Sequence, residues 1–234
     1  NIALTKVDED YPDNKLSGAV FEVYSDTNGD GKLDKDDTLL GEMKELDGGV
    51  YQMSELRYGK YLVKETKAPT GFVLDENVYS VSVEENGKTY TVENKAGVGF
   101  INAAQKGSLK IVKTSSDGKV EDFSFRVTGV DYDQTFKTDK NGEIVIEGLR
   151  IGDYTVSEVS DKASAGYILP ADKQATVKVD ATAIVQMHNE FRDTPKTGDD
   201  FNLGLWVSLA ALSVVGAGVL GFVGYKNRKK KKED

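Results

Sequence analysis

The sequence predicts an all-β chain that ends in one membrane-spanning helix, and three observations carry that expectation. Short apolar runs with a two-residue period recur from residue 2 to residue 189, divided by Gly, Asn and Asp turns. No stretch before residue 200 combines a helical period with caps. Between Asp200 and Lys226 no charged residue occurs. A helix of that length, rising ~1.5 Å per residue, exceeds the ~30 Å hydrocarbon core of a bilayer.

Taken in order, residues 2–7, 17–24, Val50–Met53, 59–65, Val78–Val83 and 88–93 read as strands, and Asn86-Gly87 between the last two predicts a hairpin. Each key run carries one polar residue on its apolar face. Lys6 shares a face with Ile2 and Leu4, Glu65 with Tyr61 and Val63, and Asn102 with Phe100. The pattern then restarts: Lys113 lies with Leu109 and Ile111, Glu158 with Tyr154 and Val156, and Asn189 with Val185 and Met187. This is an internal repeat. It divides the chain into residues 1–103 and 106–191, a linker at 192–200, the apolar helix at 201–225 and a basic tail at 226–234. Lys and Glu are almost never fully buried unless paired, so six such residues in register point to two buried polar clusters.

The composition excludes several classes. Without the tail's six cations and the four carboxylates at 199–234, residues 1–198 hold 24 Lys and Arg against 35 Asp and Glu, a charge of -11. So acidic a segment argues against nucleic-acid binding. Cysteine is absent and His188 is the only histidine, which leaves no Ser-His or Cys-His nucleophile pair and no His-rich metal site. No glycine-rich phosphate loop leads from a strand into a helix. A carboxylate-pair hydrolase stays open, although no pair stands out among 39 acids. Positive charge marks the cytoplasmic side of a span, so Lys226, Arg228 and 229–232 put residues 1–200 outside the cell. An exported chain needs a signal peptide. None precedes Asn1, so further sequence is expected upstream.

Residues 26–37 interrupt the strands with an acidic loop. Counting Asp26 as the first position, side-chain oxygens fall at positions 1, 3, 5, 9 and 12 (Asp26, Asn28, Asp30, Asp34, Asp37), and Gly31 stands at the sixth. A twelve-residue Ca²⁺ loop has this spacing, with Lys32 supplying its carbonyl oxygen. Asp37 replaces the usual Glu, which shortens the last arm. Calcium is the one cofactor the sequence suggests, and an acidic turn made of ordinary turn residues is the alternative.

Two resemblances make the reading specific. Thr194-Pro195-Lys196-Thr197-Gly198, followed by the apolar span and basic tail, resembles the cell-wall sorting signal of Gram-positive surface proteins, with Thr194 in place of Leu. The resemblance implies cleavage between Thr197 and Gly198 by a sortase and transfer to an amine of peptidoglycan or of a pilin, after a stage inserted in the membrane. Gly18-Ala19-Val20-Phe21, Gly59-Lys60-Tyr61 through Glu65-Thr66-Lys67-Ala68-Pro69-Thr70-Gly71-Phe72, KNGEIVI at 140–146 and Gly152-Asp153-Tyr154 resemble Cna B-type, prealbumin-like (Ig-like) domains of Gram-positive adhesins and pilins. That resemblance implies two tandem two-sheet β-sandwiches. In each, a buried Glu (Glu65, Glu158) catalyses a Lys–Asn isopeptide bond, Lys6 to Asn102 and Lys113 to Asn189. Asn94 follows an alternating run of its own and is the other candidate acceptor in the first repeat. The second repeat lacks the Ala-Pro that follows Glu65.

Together these features describe the stalk and anchor of a wall-attached surface protein, not an enzyme beyond its own cross-linking. Any host or matrix ligand would be met by upstream sequence. A pilin subunit is one alternative, though Asp13 follows Tyr11-Pro12 where pilins carry Lys. The spacer of a membrane-tethered surface enzyme is another.

Overall fold

A computed structural model describes residues 1–192. The sorting motif, the apolar segment and the basic tail lie outside the described residues. Among the described residues no helix is long and apolar enough to cross a membrane.

The two-residue alternation of residues 2–8 builds β1 (Ile2–Asp8) into the middle of a sheet, because Ile2, Leu4 and Lys6 all turn inward. On one side β1 runs antiparallel to β5 (Val50–Met53), which carries the short β4 (Lys44–Glu45). On the other side it runs parallel first to β8 (Tyr90–Thr91) and then to β9 (Phe100–Asn102). The facing sheet has the order β3 (Thr38–Glu42), β2 (Val20–Ser25), β6 (Gly59–Lys67), β7 (Val78–Val83). Ile2, Leu4, Tyr51 and Phe100 from one sheet meet Phe21, Val23, Val63 and Val83 from the other in a single core.

The second half repeats this plan. Central β10 (Lys106–Ser115) lies between antiparallel β13 (Glu143–Arg150) and parallel β17 (Thr182–Phe191), with β15 (Tyr167–Ile168) outside β17. The facing sheet runs β12 (Tyr132–Lys137), β11 (Ser124–Gly129), β14 (Gly152–Glu158), β16 (Lys173–Val177). Leu109, Ile111, Phe125, Val127, Val156 and Met187 fill its core, which shares no residue with the first.

Equivalent registers recur in the two halves. Asn102 pairs with Asp8, two residues beyond Lys6, and Asn189 pairs with Ser115, two residues beyond Lys113. Gly49 and Gly142 both lie at positive φ (69° and 77°) just before β5 and β13, against the carbonyls of Lys6 and Lys113 respectively.

The expected hairpin at Asn86-Gly87 does not form. The dipeptide does turn, with Gly87 at φ 75°, but β7 pairs with β6 in one sheet while β8 pairs with β1 in the other. The connection crosses the sandwich, and the Tyr90 hydroxyl braces it by accepting from the Glu84 and Glu85 amides. The halves meet through Arg150, whose guanidinium donates to both Asp8 oxygens at 2.6 and 2.8 Å and to Asp10 at 3.1 Å.

Candidate functional site

The six polar residues that interrupt the apolar stripes are all buried, in two clusters. In the second half, β10 carries Lys113 inward beneath the Phe123 ring, with Nζ 4.2 Å from the ring centroid and donating to the Thr114 carbonyl at 2.5 Å. β17 brings Asn189 to Glu158 of the facing sheet, and its Nδ2 donates to Oε1 at 2.6 Å. Asn189 Oδ1 and Glu158 Oε2 are buried without a hydrogen-bond partner.

In the first half Lys6 Nζ donates to the Phe100 carbonyl at 3.0 Å, two residues before Asn102. Asn102 Nδ2 lies 2.9 Å from both Glu65 oxygens, and its Oδ1 is again a buried orphan. Glu65 has an additional donor, the Asp75 amide at 2.9 Å from Oε2.

Burial sets the electrostatics, since removal from water disfavours whichever form is charged. Desolvation brings Lys6 down to about 8 against the opposing pull of Glu65, Asp75 and Asp8. It lowers Lys113 against Glu158 and Asp117. The same cause raises Glu65 and Glu158, outweighing their hydrogen bonds and the nearby lysines. Burial therefore shifts each cluster's amine toward its neutral form and each carboxyl toward its protonated form, with a carboxamide against that carboxyl. Such an arrangement suits proton transfer and nucleophilic attack by an amine.

Asn94, the other candidate acceptor, is placed elsewhere. Its Oδ1 accepts from the Ile101 amide at 2.6 Å, and its Nδ2 donates at 2.8 Å to both the Ile101 carbonyl and Asp75 Oδ2. Sequence reasoning missed Asp75, which sits in an irregular connection where no period marks it. Burial opposes its charge, but hydrogen bonds from Tyr79, Asn94 and Asn77 hold it below the usual carboxylate range. Asp117, the acid beside Lys113, was missed for the same reason. It accepts from the Tyr167 hydroxyl at 2.8 Å, and that hydroxyl is pushed up to about 12 by burial and by Asp117.

In the acidic loop, alternate side chains accept from amides two residues on: Asn28 from Asp30, Asp30 from Lys32, and Asp34 from Asp36. Asp26 takes the Gly29 and Gly31 amides, while Asp37 takes those of Thr27 and Asp34. Lys60 Nζ donates to the Gly29 carbonyl at 3.0 Å. Among the described residues no three His, Cys, Asp or Glu side chains are gathered as a metal site.

A repeated two-sheet sandwich with a buried Lys, Glu and Asn in each copy defines a class of modular all-β domain. The chain belongs to the SpaA family of prealbumin-like fold domains, whose profile matches residues 1–96 and 107–191. Among solved structures, the Bacillus anthracis TIE protein is similar, with 24% identity and a TM-score of 0.59. The match covers 81% of this chain and 33% of that one, so the chain spans about a third of that relative's length. A C-terminal fragment of the pilus adhesin SpaC from Lactobacillus rhamnosus GG shares the fold at 14% identity and a TM-score of 0.50, over 82% of this chain and 97% of the fragment. No curated protein matches the chain.

Proposed function

We propose that residues 1–192 are the stalk of a Gram-positive surface protein and that each sandwich is closed by an autocatalytic isopeptide bond. The observation that supports this reading most is the twofold occurrence, in one register, of a buried lysine beside a buried Glu–Asn pair. The neutral Lys113 Nζ attacks Asn189 Cγ. Rotating the carboxamide by half a turn exchanges its two atoms and sets Oδ1 against protonated Glu158, which then donates to the developing oxyanion. Glu158 delivers that proton to the leaving nitrogen and takes back the one shed by the amine. A Cγ–Nζ bond forms, the Cγ–Nδ2 bond breaks and ammonia leaves. Lys6, Glu65 and Asn102 take the same roles in the first sandwich. Other enzymatic activity is not part of this reading.

Intact-mass measurement of the full chain is expected to show the loss of two ammonia molecules without added enzyme or cofactor. Lys113→Ala or Glu158→Ala each restores one of them. An unmutated folded chain at its full sequence mass would refute the proposal.

The same reading assigns Thr194-Pro195-Lys196-Thr197-Gly198 to a sortase, with membrane insertion before cleavage, peptidoglycan or a pilin as acceptor, and an extracellular, wall-anchored product. Replacing Thr197-Gly198 by Ala-Ala is expected to leave the protein extractable by detergent. If the unmutated protein is itself extracted by detergent with residues 199–234 attached, this assignment fails. Calcium is proposed for residues 26–37, whose Asp and Asn side chains offer oxygen donors suited to a hard cation. Asp26, Asn28, Asp30 and Asp37 would ligate through side chains, Asp34 through water and Lys32 through its carbonyl.

A further inference from the structure

The two clusters differ in how their acceptor strand reaches the lysine. In the second sandwich β17 runs unbroken beside β10, from Ser108 opposite Thr182 to Ser115 opposite Asn189. In the first, Ala3 pairs with Thr91 but Lys6 pairs with Phe100. Three steps along β1 thus correspond to nine along its partner, so the eight residues 92–99 between β8 and β9 are six more than the register of β1 takes up. The loop closes on itself through reciprocal Lys95 and Gly99 backbone bonds. If the chain re-entered the sheet one residue out of register, Asn102 would face solvent, since strand side chains alternate between faces.

Asn94 stands where the chain leaves the sheet, and it holds both backbone groups of Ile101 where the chain returns. Ile101 lies between the two residues the reaction needs. The Phe100 carbonyl accepts from the Lys6 amine, and Asn102 carries the carboxamide. The third bond of Asn94 goes to Asp75, whose own amide donates to Glu65. Tyr79, 2.7 Å from Asp75 Oδ2, braces that carboxylate. A continuous hydrogen-bonded chain therefore runs from the acceptor strand through Asn94 and Asp75 to the Glu.

We propose that Asn94 is not an acceptor but the positioning residue of the first sandwich: clasping Ile101 and tied through Asp75 to Glu65, it delivers Asn102 to the Lys6 amine. This rests on the isopeptide reading above. The second sandwich, whose acceptor strand has no loop, needs no such clasp and serves as an internal control.

Asp75 adds a charge effect with a definite sign. Lys6 is faced by Glu65, Asp75 and Asp8, and Glu65 by Lys6 and Asp75. The Asp75 charge raises both groups. Removing it frees the Lys6 amine at lower pH and deprotonates Glu65 at lower pH, so both limbs of the closure profile move toward acid.

The test follows closure of each bond over time in the full chain made by cell-free synthesis, using peptide mapping to separate the two linkages. With Asn94→Ala the Lys6–Asn102 bond is expected to form on the order of 10- to 100-fold more slowly, the usual effect of ångström-scale misplacement. The Lys113–Asn189 bond should form at its normal rate, and the pH midpoint of the slowed reaction should not move. Asp75→Asn should shift that midpoint toward acid. Wild-type kinetics for Asn94→Ala, or a linked peptide joining Lys6 to Asn94, would overturn the proposal. If Asn94→Ala unfolds the first sandwich, Asn94→Asp decides: it keeps the acceptor for the Ile101 amide but loses the donor to the Ile101 carbonyl and to Asp75, and closure of the Lys6–Asn102 bond at the wild-type rate counts against the proposal. Failure of both bonds to form in the unmutated chain would instead remove the isopeptide reading and this inference with it.

Discussion

A buried lysine behaves unlike a surface lysine, and Lys113, only 1% exposed, makes that difference measurable. In a chain blocked by Asn189→Ala, Lys113 and Glu158 stay buried and unlinked. Glu158 is raised above 4.5, so the folded state binds the extra proton and stability falls as pH climbs from 4.5 through the raised value. Lys113 is lowered below 10.5, so the unfolded state binds more protons between the lowered value and 10.5 and stability rises across that window. Thermal unfolding across pH is expected to show a minimum between these limits, and a flat profile would contradict the two shifts. Gly142 tests the backbone behind the same lysine. A Cβ there would stand 2.7 Å from the Lys113 carbonyl, at a φ of 77° that L side chains rarely adopt. Gly142→Ala is expected to cost about 1–3 kcal/mol, measured by denaturant unfolding. At this scale the sequence was informative. Strand periodicity pointed to the six residues of the two clusters, with Asn94 left as a rival to Asn102, because a polar residue on an apolar stripe stands out. Asp75 and Asp117 escaped because they act from irregular segments that have no period to break.

At the scale of elements, strands with partly or fully buried residues were legible and the exposed ones were not. β5 and β7 match their expected spans residue for residue, although β7 lies at the edge of its sheet, because both are bounded by turn residues and rich in strand-forming side chains. β3 and β4 are almost wholly exposed, so no inward stripe announces them. The run at 88–93 shrinks to Tyr90 and Thr91, since the strand's remaining partners come from β9 beyond the loop. Asn86-Gly87 was misread for a related reason: the dipeptide specifies a turn, while sheet membership is decided by tertiary pairing. The acidic loop is the element whose role rests on local chemistry alone. If it binds calcium, calorimetry on the full chain should show one site at ~10⁻⁴–10⁻³ M, weakened by Asp30→Ala. An unchanged titration for that variant would leave the loop as a turn whose side chains serve only its own amides.

Across the whole described molecule, the two buried Lys–Asn pairs and the junction between the halves lie on one path. Lys6 and Asn102 are 96 positions apart, and Lys113 and Asn189 are 76. If the bonds form, closing loops of these sizes contributes ~4.5 kcal/mol each by the chain-entropy model used for disulfides. Asp8, two residues beyond Lys6 and opposite Asn102, then hands the path to the second half through Arg150, at the end of β13 opposite Lys106. Arg150 also lies over the Tyr11 ring at 4.8 Å, and Lys106 pairs with Asp10 at 3.2 Å. Asp8 is 1% exposed, so its charge depends on this partner. Arg150→Ala leaves a carboxylate buried with only the Asp10 and Tyr11 amides, an expected loss of about 3–5 kcal/mol. Asp8→Asn combined with Arg150→Ala should recover part of that loss, because the orphaned charge is gone. The pH dependence has a fixed sign. Burial opposes the Asp8 charge, but Arg150 and the two amides outweigh it and hold Asp8 below 3.8. The clamp's stabilisation is therefore complete above that value and is lost as pH falls through the lowered one. Denaturant unfolding from pH 7 to pH 2 should show the wild-type and Arg150→Ala curves converging only at the acid end. A constant gap down to pH 2 would mean that Arg150 contributes through its packing on Tyr11 and Phe72, independently of the Asp8 charge.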